Sequence, residues 1–275
     1  MADPINLSTA VRTNLLTLQR AATLIGTTQS RLSTGLKVNS AIDDAAAFFT
    51  AKALSNNAKD LDDLKSSIDL GISTIQAAID GIDAISELVQ QAKGLAANAK
   101  ATGDTSERST LAVQFNTLLS QINNLANDST FNGTNLLQAT PDNLAVEFNS
   151  TNTTNLTITG LDVTTASTGI NLGVSANNFG TTANIDASLT AIGSALTTLR
   201  SNAATLGSNN TILSTRLDFT QNLVNTLEGG EGKLTLADLN EESANLLALQ
   251  TRQQLGINSL ALAAQSERSI LALFG

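Results

Sequence analysis

Apolar residues recur at every third or fourth position along most of the chain, which is the spacing of one face of an α-helix. The first row starts near Ile5 and comprises Val11, Leu15, Leu18, Ala22, Ile25 and Leu32. Gly35 follows it and is a typical helix stop. We expect a terminal helix that ends there, with Gly35 and Asn39 allowing the chain to reverse.

A helix-start signal follows the first row. Ser40 stands three residues before Asp43, the spacing of a capping box, in which the Ser oxygen accepts from helix amides and the carboxylate faces the positive helix end. The pattern predicts a second, shorter helix from about Ala41. Asp43 and Asp44 are interpreted as helix-start acids and not as metal ligands, because the chain has no His and no recurring ligand spacing.

The next rows predict long helices in a bundle or coiled coil. One row indicates a helix of roughly 40 residues, or about 60 Å; its members are Leu61, Leu64, Ile68, Ile72, Ile75, Ile79, Ile82 and Val89. Thr102-Gly103-Asp104 interrupts it, and Asp104 with Glu107 restarts a helix. The row that follows consists of Leu111, Phe115, Leu118, Ile122 and Leu125. A helical hairpin is expected.

Between Asp128 and about Asn184 the chain is rich in Asn, Thr, Ser and Gly. Short alternating runs at 144–148 and 156–159 predict strands joined by turns. Helical spacing resumes near Ala187, in a row that includes the polar Asn210, and a polar seam residue often fixes register at a cost in stability. The row is Leu189, Ile192, Leu196, Leu199, Ala203, Leu206, Asn210, Leu213, Leu217, Thr220, Val224 and Leu227.

The last part of the chain predicts a terminal helix with partner-seeking surfaces. The run 229–232, Gly-Gly-Glu-Gly, predicts the end of the preceding helix, and Thr235 with Asp238 predicts the cap of the next one. From Leu239 to Phe274 apolar residues cover more than one stripe. Because one stripe suffices to dock a helix on its own domain, the surplus predicts cover by a neighbour.

These elements predict a mainly α fold: a long helical bundle or coiled-coil rod with a small β-hairpin region and paired N- and C-terminal helices. We expect residues 1–39 with 233–275 to form an inner terminal-helix domain. Residues 40–140 with 185–232 would form the helical rod, and 141–184 a short β-rich insert on it.

Composition narrows the possible functions. The formal charge of −9 argues against nucleic acid and anionic lipid as partners. With no Cys and no His, thiol nucleophiles, Ser-His triads and zinc-protease motifs are absent, so neither an enzyme nor a cofactor is expected. The first residues lack the basic and apolar regions of a cleavable signal peptide, and no run of 18 apolar residues offers a membrane span.

Three separated motifs resemble the bacterial flagellin family in the expected order. Residues 31–46, RLSTGLKVNSAIDDAA, resemble the hallmark of its N-terminal region, and 131–137, FNGTNLL, resemble its turn after the helical hairpin. Residues 252–260, RQQLGINSL, and the ending ILALF at 270–274 complete the match. The linker motif residues are Arg31, Gly35, Asn39, Ser40, Asp43 and Asp44, and the turn motif residues are Phe131, Asn132 and Gly133.

The resemblance implies a minimal flagellin: a structural subunit that polymerises through its terminal helices into a hollow helical filament for swimming motility. It implies terminal helices that are disordered in the free subunit and fold on assembly. It also implies an extracellular location, secretion without a cleavable signal through the flagellar type III export apparatus with a chaperone, and contacts with hook-associated junction and cap proteins. A hook-filament junction protein and a non-flagellar coiled-coil interaction protein remain alternatives.

Apolar side chains of the two ends are the candidate self-assembly residues. They are Ile5, Leu7, Val11, Leu15, Leu18, Ile25, Leu32, Leu255, Leu260, Ile270, Leu271, Leu273 and Phe274.

The chain departs from the family at a patch that the animal toll-like receptor for flagellin grips. Where many flagellins are similar in an Arg, a Leu and a Glu, this chain has Lys93, Ala97 and Gln114. Loss of a bidentate cation, an apolar anchor and a charge predicts weak activation of that innate immune receptor.

Overall fold

The structure is a computed structural model that describes the backbone of residues 9–149 and 153–274, and not the side chains of 10, 267 and 270–274. Within that range the long helices are α1 Thr9–Thr34, α2 Ala45–Ala101, α3 Thr105–Asp128, α4 Thr182–Thr235 and α5 Leu239–Phe274. The strands are β1 Thr130–Phe131, β2 Thr134–Asn135, β3 Leu144–Glu147 and β4 Asn155–Ile158. A 3-10 turn covers Ala176–Phe179. The predicted mainly α fold is confirmed.

The predicted short helix from Ala41 is wrong. The helix begins at Ala45 and continues for 57 residues as α2, because no proline interrupts residues 45–101. Asp44 supplies the cap: its Oδ1 accepts a hydrogen bond from the Ala47 amide at 3.0 Å. The interpretation of Asp44 as a helix-start acid is therefore confirmed, whereas Ser40 does not cap this helix.

The predicted break and restart near residue 103 are confirmed. Asp104 caps α3 by accepting from the Ser106 amide at 2.8 Å, and the Thr102 hydroxyl donates to Glu107 Oε2 at 2.7 Å. Helices α2 and α3 therefore form the expected helical hairpin.

The predicted helix end at 229–232 is also wrong, because α4 runs on to Thr235. A glycine inside a helix costs about 1 kcal/mol relative to Ala, which packing can offset. At Gly230 a Cβ would lie 3.3 Å from Leu54 Cδ1, so the run allows α2 and α4 to approach closely. The cap of α5 is Asp238, which accepts from the Asn240 amide at 2.9 Å, while the Thr235 hydroxyl donates to the Glu231 carbonyl within α4.

The chain divides into two compact units. Unit 2 comprises residues 58–225 and contains the hydrophobic core, which is formed by the facing rows of α2, α3 and α4. Ile68, Ile75, Phe115 and Leu199 are fully buried there, as their rows predict.

The seam residue Asn210 places its Oδ1 in the interior of unit 2 without a hydrogen-bond partner in the part of the chain that the structure describes. Burying an unpaired amide oxygen is unfavourable. Asn210 therefore lies in the row as predicted, and its cost in stability stays a prediction.

The predicted strands pair as an antiparallel hairpin that joins the same core. Val146 of β3 packs into a notch on α2, where a Cβ on Gly71 would lie 2.7 Å from Val146 Cγ2. Ile158 of β4 is buried as well. The hairpin thus packs on the helical core of unit 2 instead of standing apart from it.

The turn motif forms a second, shorter hairpin between β1 and β2. Asn132 and Gly133 both have positive φ, as the two central residues of a tight hairpin turn require. The side chain of Asn135 donates through Nδ2 to the carbonyls of Ala126 and Asn127, and its Oδ1 accepts from the Leu137 backbone amide. These hydrogen bonds connect the C-terminal end of α3 to the loop that follows.

Candidate self-assembly surface

Unit 1 comprises residues 1–57 and 226–275, and α1 packs on α5 within it. The two helices are antiparallel: Arg31 near the end of α1 contacts Glu242 near the start of α5, and Leu18 lies against Gly256 farther along. Residues that are buried or half-buried recur with heptad spacing on both helices and define the seam. On α1 they include Val11, Asn14, Leu18, Ala21, Ile25, Thr28 and Leu32, and on α5 Glu242, Leu246, Leu249, Gln253, Gly256, Leu260 and Ala263.

The seam is a weak core. Half of its residues are small or polar, such as Asn14, Thr28, Gln253 and Gly256. Hydrophobic stabilisation scales with the apolar area removed from water, so this pair gains less from packing than the rows of unit 2 do.

Large apolar side chains lie outside the seam on both helices. Eleven of the sixteen exposed large hydrophobic residues in the described part of the chain belong to unit 1, although unit 2 is longer. Eight of them are on the helix pair, one of which is Leu239, the first residue of α5. The other seven are Leu15, Leu16 and Leu24 on α1, and Leu247, Leu255, Ile257 and Leu262 on α5. We call these seven residues the outer apolar set. Leu262 is 72% exposed and Leu247 is 67% exposed.

The segments that join the terminal helices to the long helices pair through their backbones. The Lys37 amide donates to the Thr235 carbonyl at 2.7 Å, and the Ala237 amide donates to the Gly35 carbonyl at 2.9 Å. Leu36 and Leu236 form a β-bridge between these two bonds. Gly35 has φ +72°, so the predicted reversal at this glycine is confirmed. We call this arrangement the linker ladder.

Asp43 organises the chain after the ladder. Its Oδ2 accepts from the Asn39 amide at 3.1 Å, the Ser40 amide at 2.9 Å and the Ser40 hydroxyl at 2.9 Å. The predicted capping box is therefore wrong in direction, since the Ser hydroxyl donates to the carboxylate. These bonds, chiefly that from the Ser40 hydroxyl, lower the pKa of Asp43, and the charge of Arg31 acts in the same direction. Asn39 serves as a donor and has no positive φ.

The structure separates the candidate self-assembly residues into three groups. Val11, Leu18, Ile25, Leu32 and Leu260 lie in the seam. Leu15 and Leu255 are exposed and belong to the outer apolar set. Ile5 and Leu7 lie outside the described residues, as do the side chains of Ile270, Leu271, Leu273 and Phe274.

Sequence reasoning missed part of the exposed surface. Leu16, Leu24, Leu247, Ile257 and Leu262 were not predicted as assembly residues. On α1 the seam contains Ala21, and the predicted row members Leu15 and Ala22 are exposed. These missed residues would have been found by assigning one seam row on each helix and counting the apolar residues left over.

Three positions of the receptor patch lie in unit 2. Lys93 and Ala97 on α2 and Gln114 on α3 are all exposed. Gln114 lines an open groove between these helices together with Gln91, Leu95 and Leu118.

No helix in the described ranges is long and apolar enough to cross a membrane. Nor do the side chains described here include a group of three or more His, Cys, Asp or Glu that could hold a metal ion.

A pair of terminal helices whose outer apolar faces are uncovered, joined to a unit with its own core, defines the class of self-assembling structural subunits. Two family models match this chain: the bacterial flagellin N-terminal helical region over residues 5–142 and the bacterial flagellin C-terminal helical region over residues 189–274. The chain therefore belongs to the bacterial flagellin family.

Relatives that align over nearly the whole chain support the same family. Flagellin FljO of Caulobacter vibrioides is 34% identical over 279 aligned positions, which cover 99% of this chain and 98% of the relative. A flagellin of Brucella melitensis is 30% identical over 283 positions, which cover 100% and 99%. A crystal structure of Bacillus cereus flagellin has a TM-score of 0.49 and 18% identity, over 56% of this chain and 88% of that one. The predicted identity as a structural filament subunit of the extracellular flagellum, and not an enzyme, is confirmed.

Proposed function

We propose that unit 1 is the assembly module of this flagellin and that the outer apolar set of α1 and α5 is buried against other copies of the chain. The supporting observation is the concentration of exposed apolar side chains on a helix pair whose own seam is half small or polar. Full burial of a leucine contributes about 1.5–3 kcal/mol, so several such residues per subunit suffice to drive polymerisation. The candidate residues in the seam act indirectly, by holding the two helices together.

The terminal helices gain their stable packing on assembly. A weak seam and an uncovered outer face leave the isolated pair with little to offset its ordering entropy, which supports disorder of both ends in the free subunit. Head-to-tail contacts between copies that do not close into a ring extend as a filament. Folding of the ends and growth of the polymer are then one event.

Replacing outer leucines tests this proposal. Leu262→Ser and Leu247→Ser should each raise the critical concentration for seeded polymerisation, by roughly tenfold for every ~1.4 kcal/mol of lost contact energy. Val174→Ser is the matched control, because Val174 is 71% exposed in unit 2 and Leu262 is 72% exposed in unit 1. Sedimentation of filaments measures the result, and unchanged polymerisation of the two unit 1 variants would refute the assignment.

Removing residues 268–275 is a second test. The unit 2 core lies wholly within residues 68–213, so the truncated chain should keep its thermal unfolding transition while losing polymerisation. Normal filaments from this truncation would contradict a role for the C-terminal residues Ile270, Leu271, Leu273 and Phe274.

The proposed domain organisation is an inner terminal-helix domain of residues 1–39 with 233–275, a rod of 40–140 with 185–232, and an insert at 141–184. The linker ladder supports a boundary near residues 35 and 237. Limited proteolysis of free subunits tests it, with protection expected for the rod and cleavage in the terminal segments, before residue 35 and after residue 237.

We also propose secretion without a cleavable signal through the flagellar type III apparatus, with a chaperone, and contacts with junction and cap proteins. Membership of the flagellin family, whose resemblance implies this route, supports the proposal. N-terminal sequencing of sheared filaments should find an unprocessed start, and a shortened one would contradict it. The alternatives of a junction protein or a non-flagellar coiled coil are not favoured by the full-length flagellin matches.

Weak activation of the toll-like receptor for flagellin is proposed from Lys93, Ala97 and Gln114. All three are exposed, so their side chains are available for a contact that they are poorly suited to make. A reporter-cell response equal to that of a strong agonist flagellin would refute the proposal.

A further inference from the structure

The seam of unit 1 does not specify a unique register by apolar packing alone. In the observed pairing Leu18 faces Gly256. Because both seam rows repeat with heptad spacing, a slip of one heptad would place Leu18 opposite Ala263 and Ile25 opposite Gly256, again a large residue against a small one. Packing therefore favours the observed register only slightly.

An ion pair near the linker end distinguishes the two registers. Arg31 Nη1 donates to Glu242 Oε1 at 2.9 Å, with the two side chains 38% and 11% exposed. Glu242 occupies a seam position, and Thr28 is buried on the facing helix. A buried carboxylate without a cation is strongly unfavourable. The slip just described separates the pair, because it moves Glu242 past the end of α1, opposite residues 38–39, and places Arg31 near Leu249. A slip of one heptad in the other direction would place the carboxylate beside Leu24 and Ile25, with no cation next to it.

The linker ladder lies next to this ion pair and limits the same movement. The Ala237 amide bonds to the Gly35 carbonyl only a few residues before Glu242 along the chain. The backbone hydrogen bonds and the ion pair thus both fix the alignment of the two helices at the end where they first meet.

We infer that Arg31 and Glu242 form a register lock, which selects the one alignment of α1 on α5 that presents the outer apolar set to neighbouring subunits. This role rests on the proposed assembly function of unit 1. In a slipped pair the leucines of α1 and α5 would no longer stand at the same relative heights, and a neighbouring subunit would meet a mismatched surface. Arg31 and Glu242 are positioning residues, which act through the helices they align.

The absence of cysteine from the chain allows the register to be measured directly. One full-length variant carries Leu18→Cys and Gly256→Cys, which cross-link in the observed register. A second carries Leu18→Cys and Ala263→Cys, which cross-link after a slip of one heptad. Each is polymerised on seeds, oxidised and analysed for intramolecular cross-links on a denaturing gel, alone and with changes at the lock.

Arg31→Ala should lower the ratio of native to slipped cross-links by roughly tenfold, the change that ~1.4 kcal/mol of register preference produces. The charge swap Arg31→Glu with Glu242→Arg should restore the ratio and the filament yield, which a merely structural role of either residue would not do. An unchanged ratio in Arg31→Ala overturns the lock, as does a swap variant that behaves like the single variant.

The outer leucines separate the lock from the assembly function on which it rests, because they lie outside the seam. If Leu247→Ser and Leu262→Ser polymerise like the unchanged chain, the proposed function of unit 1 fails. If they polymerise poorly and Arg31→Ala keeps the native register, only the lock fails. Thermal unfolding of unit 2 should be the same in all variants, because its core contains none of the substituted residues.

Discussion

At the scale of single residues, two glycines of α2 have opposite effects on stability. Gly71 makes room for the β3–β4 hairpin, since a Cβ there would lie 2.7 Å from Val146 Cγ2 and 3.4 Å from Leu213 Cδ1. Gly94 is exposed and has nothing within 4 Å of its Cβ position. The same residue type is thus required at one position of the helix and costly at the other.

Gly71→Ala should therefore lower the free energy of unfolding by about 1–3 kcal/mol through overpacking. Gly94→Ala is the matched control and should raise it by up to about 1 kcal/mol, because Ala is the better helix former. Urea unfolding followed by circular dichroism measures both. Equal effects at the two positions would contradict the close packing of Val146 against Gly71.

The lowered pKa of Asp43 predicts an acid-sensitive linker. A carboxyl with a pKa depressed by folding stabilises the folded linker above its unfolded pKa, and this contribution is lost as pH falls through the folded value. The Asn39 and Ser40 amides, which donate to Asp43, should lose protection from hydrogen exchange as pH falls below the ordinary Asp value of 3.8. Asp43→Asn should remove this pH dependence, and its persistence in that variant would assign it to another group.

At the scale of elements, α4 shows a seam with one imperfect position. Asn210 stands between Leu206 and Leu213, and its Oδ1 is buried without a partner in the described part of the chain. Asn210→Leu should raise the free energy of unfolding of unit 2 by about 1–3 kcal/mol, since it removes an unpaired polar group from the interior. Ser208→Leu, at an exposed neighbouring position, is the control and should change the stability little. A less stable Asn210→Leu variant would show that the amide has a partner.

The elements also show what a sequence does and does not determine. Periodicity located α3 and the rows of α2 and α4, because in those stretches one face is buried against a core of the same chain. It failed at Gly229 to Gly232, where a local stop signal is overruled by the close approach of Leu54 to Gly230. It failed again at Ser40 and Asp43, because the same two residue types support a cap or a turn and the direction of the hydrogen bond depends on where the helix starts.

At the scale of the whole molecule, the candidate assembly surface was only partly predictable. The surplus of apolar residues in α5 indicated that it needs a partner, but which residues face the sister helix depends on how α1 rotates against it. Leu15 and Ala22 satisfy the spacing of a seam as well as their neighbours do, yet they lie outside it. The ion pair of Arg31 with Glu242 joins positions 211 residues apart, a distance at which sequence spacing carries no information.

The linker ladder also bears on the speed of assembly. It brings the bases of α1 and α5 together, so a subunit whose ladder is formed no longer has to close the loop between them when its terminal helices fold. Held at one point, the two segments meet at an effective local concentration in the millimolar range, as flexibly tethered partners do. The terminal helices of an arriving subunit can then pair starting from the ladder. The time needed to fold both ends depends on helix growth and not on a search between two distant segments.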